Sequence, residues 1–482
     1  MSPLVILFLV IVYFGILFWV AYGTGKESDN ESFFLGNRRS HWLLVAFGMV
    51  GTSLSGVTFV SVPGFVGKDG FGYLQVALGY VIGYFAVAYI LLPIYYKLNL
   101  ISIYGYLNKR LGYSSYQSGA WIFIVSRLVG STARLYLVAN ILQVSVLNYL
   151  GVPFLVTCIL IIGMIILYTY KGGVKTIVWT DTLQTTCMLL GLVICIFYIL
   201  NELDISLWDS FSRMEARGYT KIWNTEIDNS GFFIKQILAG VFICITMTGV
   251  DQEMMQKSLS VNTLKNSQKN IITLSFIIYT VIGLFLFLGG LLYLYADKEN
   301  ISQSGDQLFP YIALHRMPPI ISFIFVIALV SALFPSADGA MTALTSSLCI
   351  DIFNIQEKNW NKEKKESFRK KTHLLVALSF LMMIGVFKII DNNSMIHLLL
   401  KLAGFTYGPL LGLFAFGIFT SHKIKDRWVP VICFLAPAIS FVIDRNQAVL
   451  LGDFRIGLEL IVLNGVFTFL GLWLIRIKKS PG

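Results

Sequence analysis

Charge is scarce in this chain: Asp, Glu, Lys and Arg make up 13% of its 482 residues, against about 25% in an ordinary soluble domain. Paired cysteines are missing too. Cys158, Cys187, Cys195, Cys244, Cys349 and Cys433 all fall inside apolar runs and none forms a CxxC pair. That argues against a disulfide framework or a zinc site and leaves them as small buried hydrophobes. No HExxH, GxSxG or P-loop occurs, and no group of histidines or carboxylates gathers as an enzyme would need, so the chain is not expected to be an enzyme. The ten-residue alternation of a membrane barrel is absent. No literal repeat or low-complexity segment stands out. The longest polar stretches, 203–230 and 353–371, are too short for a soluble domain.

What fills the chain instead is apolar. Hydrophobic residues make up 56% of it and mean hydropathy is +0.73. Apolar runs of about 18 residues or more recur from end to end, the signature of membrane spans. Backbone groups inside lipid must be satisfied within their own segment, so the spans are predicted to be helices. The expected fold is an all-α integral membrane protein of about thirteen transmembrane helices. The spans are placed at 3–22, 41–65, 72–97, 117–148, 151–170, 176–202, 231–256, 267–296, 319–352, 372–390, 394–419, 427–445 and 455–476. The first, Leu4 to Tyr22, lacks a basic leader and an A-x-A site and reads as a retained helix.

The formal net charge of +11 invites a nucleic-acid partner, but its distribution speaks for membrane topology. With the N-terminus outside, the segments facing the cytoplasm hold 24 Lys and Arg and the external loops hold 9. A bias that alternates with each crossing follows the positive-inside rule and accounts for the charge without nucleic acid. The expected location is the bacterial inner membrane, with the C-terminus in the cytoplasm.

A charge in mid-membrane is costly and marks either a partnered residue or a functional one. Arg127, Arg134, Asp181, Asp251 and Asp338 are such residues. The second span, from Gly48 to Gly64, crowds Gly51, Thr52, Ser53, Ser55, Gly56, Thr58 and Ser61 ahead of Pro63. That composition suits a helix that unwinds to present carbonyl oxygens to a hard cation, and equally suits close helix packing. The ninth span carries Pro335, which frees a carbonyl one turn earlier, beside Ser336 and Asp338. Asp181 lies about two turns into the sixth span, and a second buried carboxylate makes a shared cation attractive. Arg127, Gly130, Ser131 and Arg134 share one helical face. Two guanidiniums there suit recognition of a carboxylate; pairing of either with Asp181 or Asp338 is the structural alternative. Gln75, after GFGYL, suits a polar solute or a site at the membrane boundary.

Four stretches then resemble the sodium:solute symporter family: FFLGNRRSHWLLVAFGMVGTSLSG (33–56), YTYKGGVKTIVWTDTLQ (168–184), TGVDQEMMQKSLS (248–260) and GFTYGPLLGLFAFGIF (404–419). The third is similar to a DQ-x-x-x-Q motif, with Lys257 where arginine is usual. The resemblance implies the leucine-transporter fold, with inverted five-helix repeats at about 41–202 and 231–420. Segment 1–40, the external loop 203–230 and two helices in 421–482 flank them. It implies a main sodium site from the carbonyls of Gly51, Leu54, Ala332 and Pro335 with the Ser336 hydroxyl. Proline at 335 replaces one of two hydroxyl residues often found there. It implies a second cation site at Asp181, Ser336 and Asp338. Solute contacts fall on Ser53, Ser55, Thr58, Gln75 and Arg134, with Arg127 a further candidate.

The function expected is sodium-coupled import of a small polar solute, best a carboxylated sugar such as sialic acid. Sodium would bind where the second span unwinds and Pro335 disrupts the ninth, and Asp251 and Gln252 would lie near an inner gate. The partners expected are the solute, Na⁺ and the lipid bilayer, with no nucleic acid and no obligate protein partner. Proton coupling, or a neutral sugar, amino acid or other carboxylate as solute, is the alternative within transport. A membrane sensor bundle is the alternative outside it.

Overall fold

The computed structural model describes residues 3–25, 29–390 and 395–477. Lys26, Lys478 and Lys479, three of the residues in the charge bias, lie outside the described residues. Among the described residues the chain is helical, and only isolated bridges, Ser40 to Val261 and Ile424 to Arg476, pair extended backbone. Helix α1 is Pro3–Gly25. Helices α2 (Trp42–Ser53) and α3 (Gly56–Asp69) form one span bent by 60°. Then come α4 (Tyr73–Lys97), α5 (Tyr113–Leu142), α6 (Phe154–Tyr170) and α7 (Gly172–Leu203). A second bent span joins α8 (Phe233–Gly249) to α9 (Gln252–Leu259) at 63°. The rest are α10 (Leu264–Glu299), α11 (Pro319–Ile352), α12 (Lys362–Ile390), α13 (Met395–Phe419), α14 (Val429–Arg445) and α15 (Leu460–Leu474).

Among the described residues eight helices are long and apolar enough to cross a bilayer, or up to ten spans if each bent pair is one. Three shorter apolar helices, Ile11–Thr24, Phe154–Tyr170 and Leu460–Leu474, stand where the first, fifth and last spans are expected. Small side chains decide which helix is central. In α11, Ala328 to Ser347 is buried without interruption and is rich in Ala, Ser, Thr and Gly. Such residues let neighbouring backbones approach from all sides. The apolar window of α11 is 72% buried and that of α14 only 22%, so α14 is peripheral, with Phe434, Phe441 and Val442 exposed. Helix α11 packs on the α6–α7 unit, α8 on α4, and α2 on α7.

Three expectations change. The cytoplasmic loop predicted at 171–175 is a single tight corner, where Gly173 takes φ +51°, a conformation glycine adopts without steric cost. The short helix Asn30–Leu35, capped by Asp29, brings Phe33 so close that a Cβ on Gly173 would sit 2.6 Å from the ring. The seventh span is broken rather than continuous over 231–256. Val250 (φ −115°, ψ 20°) and Asp251 (φ −104°, ψ 125°) leave the helix, and the Asp251 carboxylate restarts it by accepting from the N–H groups of Glu253 (2.9 Å) and Met254 (3.3 Å). Asp251 is thus an N-cap, which reading it only as a buried charge hides. The ninth span, in contrast, does not come undone: α11 runs helically through Pro335, because its neighbours enclose it on every side.

Candidate functional site

The second span unwinds at Leu54 (φ −98°, ψ 62°) and Ser55 (φ −55°, ψ 172°). Its hydrogen-bond ladder stops at the bond from the Leu54 N–H to the Val50 carbonyl (2.8 Å), so the carbonyls of Gly51 to Leu54 accept no bond from the next turn. Polar carbonyls freed in this way, shielded from lipid, are what a hard cation needs. Here α2 lies tightly against α7 and α11. The Gly51 N–H donates to the Thr185 hydroxyl at 3.2 Å, and a Cβ at Gly51 would sit 3.2 Å from the Pro335 ring. Ala332, Pro335 and Ser336 are buried on the facing helix, and the Ser336 hydroxyl donates to the Leu333 carbonyl at 3.0 Å. Gly51 and Pro335 therefore meet across the α2–α11 contact, with Leu54 at the break.

A cavity of about 110 Å³ opens at the bends. Ser53, Ser55 and Thr58 line it from the first bent span, and Thr248 and Met254 from the second. Arg127 and Arg134 of α5 complete it, with Tyr73, Tyr80 and Tyr84 of α4. The two arginines differ. Arg127 is 4% exposed and committed: its Nε donates to Glu253 Oε2 at 2.6 Å, a second N–H reaches the same oxygen, and Nη1 lies 3.5 Å from Asp251. Its partners are Glu253 and Asp251, not Asp181 or Asp338. Arg134 makes no ion pair or hydrogen bond among the described residues and faces the cavity. Gln75 stands apart. It lines a separate cavity of about 580 Å³ with Lys68, Trp223 and Asn224, donates to the Gly72 carbonyl at 3.0 Å and accepts from the Asn224 N–H at 3.4 Å. Tyr73 borders both cavities, its hydroxyl 3.1 Å from that of Tyr80.

Asp181 and Asp338 are buried, at 1% and 0% exposure, yet each has a protein partner. Asp181 Oδ2 accepts from Lys257 Nζ at 2.7 Å and from the Thr52 hydroxyl at 3.3 Å. Asp338 Oδ2 accepts from the Tyr168 hydroxyl at 2.7 Å. The remaining oxygen of each carboxylate is buried without a hydrogen bond. The Ser336 hydroxyl is turned to its own helix, and among the described residues no three His, Cys, Asp or Glu side chains group as for a metal ion. Lys257, counted above with the cytoplasmic loops, lies inside the bundle at 3% exposure; Arg369, from the same count, is 1% exposed. Glu253, Tyr168 and Tyr407, which donates to Asp251 at 2.8 Å, are further polar members that sequence reasoning passed over. The available signal was a capping Asp followed by Glu253 and Lys257 one turn apart on a helix. Gln252 ties this helix to the segment between α4 and α5, accepting from the Ile103 N–H and donating to the Ile101 carbonyl at 3.0 Å each.

Comparison with known proteins gives these features a family. The chain is 23% identical to the sodium/sialic acid symporter NanT of Aliivibrio fischeri over 418 residues, covering 83% of this chain and 79% of that one. It is 22% identical over the same length to the sodium/sialic acid symporter SiaT of Proteus mirabilis, covering 83% and 82%. Its backbone matches a solved substrate-bound, outward-open structure of a Na⁺-coupled sialic acid symporter with a TM-score of 0.84, at 18% identity, over 98% of this chain and 97% of that one. The sequence pattern of the sodium:solute symporter family fits residues 33–425. A multi-pass helical bundle with two bent spans and oxygen-rich surfaces at the first bend, aligned to that family over most of its length, is a transporter rather than an enzyme and takes Na⁺ as its coupling ion: the chain belongs to the sodium:solute symporter family.

Proposed function

We propose that this symporter imports a small carboxylated solute, a sialic acid being the best example, across a bacterial inner membrane. The observation that carries the proposal is Arg134, a guanidinium with no partner among the described residues, which lines one cavity with the hydroxyls of Ser53, Ser55 and Thr58. The cavity sets hydroxyls and tyrosines against an apolar side of Val57, Ile243, Met247, Ile278 and Ile282; a fixed cation there complements an acid with both polar and apolar faces, and guanidinium presents a two-pronged donor to a carboxylate. Arg127 next to it is already neutralised, so one cation remains for one carboxylate.

In this reading the N-terminus is outside, and thirteen spans hold two inverted repeats. External sodium binds at Gly51, Leu54, Ala332, Pro335 and Ser336. The solute enters past Gln75 and docks on Ser53, Ser55, Thr58 and Arg134. The bends then close toward the outside and open inward. Each charge moved inward gains about 2.3 kcal/mol per 100 mV of membrane potential, which supports accumulation.

The test is uptake of N-acetylneuraminate into proteoliposomes under an imposed sodium gradient at constant pH. Sodium-driven accumulation is expected; a screen of sugar acids, neutral sugars and amino acids by thermal shift in Na⁺ identifies the solute if it is another. Arg134→Ala is expected to weaken binding of the anionic solute by about ten- to one-hundred-fold, the scale of a lost charge-assisted hydrogen bond, while sodium binding persists. Undiminished binding of the acid by that variant would end the carboxylate assignment.

A further inference from the structure

We infer that Lys257 is a built-in cation that takes the place of a second sodium ion at Asp181, so that this chain binds one Na⁺ where the carboxylate would otherwise hold another. The inference rests on the sodium coupling of the chain and refines how many ions that coupling uses.

The geometry is that of a filled cation site. Lys257 projects from α9, the short helix after the second break, into the crevice between α2, α7 and α11. Its Nζ lies 2.7 Å from Asp181 Oδ2 on α7 and 2.7 Å from the Thr52 hydroxyl on α2. Thr52 also donates to Asp181 at 3.3 Å, so ammonium, hydroxyl and carboxylate form a closed triangle. Glu253 Oε1 lies 3.8 Å from Nζ, one turn back on α9. The backbone of α11 forms the last wall: a Cβ at Gly339, next to Asp338, would sit 2.9 Å from Nζ. All these side chains are at most 3% exposed.

An ammonium spends its hydrogens on oxygen acceptors, and a bare monovalent ion would use the same oxygens. Asp181 Oδ2 is taken by the ammonium, and although Asp181 Oδ1 and Asp338 Oδ1 carry no hydrogen bond, a sodium ion on Asp181 would sit next to that ammonium, where like charges repel strongly away from water. Breaking a buried ion pair to admit a soluble ion would strand the ammonium, which costs more than leaving it paired. The candidate set of Asp181, Ser336 and Asp338 therefore does not fit a second Na⁺ here. Because Thr52 is one residue from the end of α2, the lysine also pins the first bend to the second, a task an ion would otherwise perform from solution.

The experiment needs no solute. Purified full-length protein is titrated with ²²Na⁺ in a scintillation proximity assay, and bound ions per chain are counted. The wild type is expected to bind one Na⁺ with hyperbolic saturation. Lys257→Gln, which frees Asp181, is expected to bind two, with a second phase or sigmoidal saturation. Lys257→Arg, which keeps the charge, and the neutral pair Lys257→Gln/Asp181→Asn are expected to bind one. Two ions in the wild type overturn the inference by themselves, whether or not any variant folds. So does an unchanged single ion in a folded Lys257→Gln. No sodium binding in any form would instead strike at the coupling ion itself, and failure of N-acetylneuraminate uptake beside a correct ion count would strike only at the solute.

Discussion

Replacing Arg127 by methionine is expected to destabilise the folded protein by about 3–5 kcal/mol, the usual cost of stranding a buried charge. Arg127 sits at the junction of α5 with the second break. It holds Glu253 through two donors and stands 3.5 Å from Asp251, and all three side chains are at most 4% exposed. Without it two carboxylates remain close together, with Lys257 3.8 Å from Glu253 as the nearest cation. The double variant Arg127→Met/Glu253→Met is expected to recover most of the loss, since an apolar pair of similar volume often replaces a buried ion pair at little cost. Asp251 then keeps its bonds to the backbone N–H groups of α9 and to Tyr407. Midpoints from a heating series read by size-exclusion chromatography in detergent would check this. A single variant as heat-resistant as the parent, or a double variant worse than the single, would show that the pair does not hold α5 to the break.

The second large effect is steric. Helices α4 and α8 touch backbone to backbone: a Cβ at Gly79 would sit 2.8 Å from the Gly240 Cα, and one at Gly240 would sit 3.0 Å from the Gly79 Cα. Neither obstacle is a side chain that can swing aside. Gly79→Val is expected to force the helices apart at a cost beyond the 1–3 kcal/mol typical of overpacking and to abolish recovery of monodisperse protein. In lipid the hydrophobic effect does not drive helices together, so association depends on such close contacts. Ile82→Val, nearby and half-exposed, is the control and should be neutral. Parental yield from Gly79→Val would mean that the two helices are not in contact in the membrane.

Both predictions concern features that were only partly legible in the sequence. The small and hydroxyl residues from Gly51 to Ser61 leave unwinding and close packing equally open in the sequence, and the structure shows the break at Leu54. The bend at Val250 was passed over although it has a comparable local signal, Gly249 and a capping Asp251, because the run from 231 to 256 is apolar enough to read as one helix. Pro335 suggested a disrupted helix, and the packing around α11 kept it intact. Ser53, Ser55, Thr58, Arg127 and Arg134 share one cavity, whereas Gln75, on the same local evidence, lines another.

From its sequence alone, then, this chain is determined to be a helical membrane protein with most of its charge in loops and a few charged and polar residues concentrated in particular spans, and four short motifs suffice to place its family. These properties are written locally, because lipid tests each segment of about twenty residues by itself. Which buried charge meets which was decided only by the tertiary structure. Lys257 finds Asp181 76 positions away and Arg127 finds Glu253 126 positions away. Neutralising a charge in a low-dielectric interior depends on distance through space, and helical periodicity along the chain carries no record of that distance.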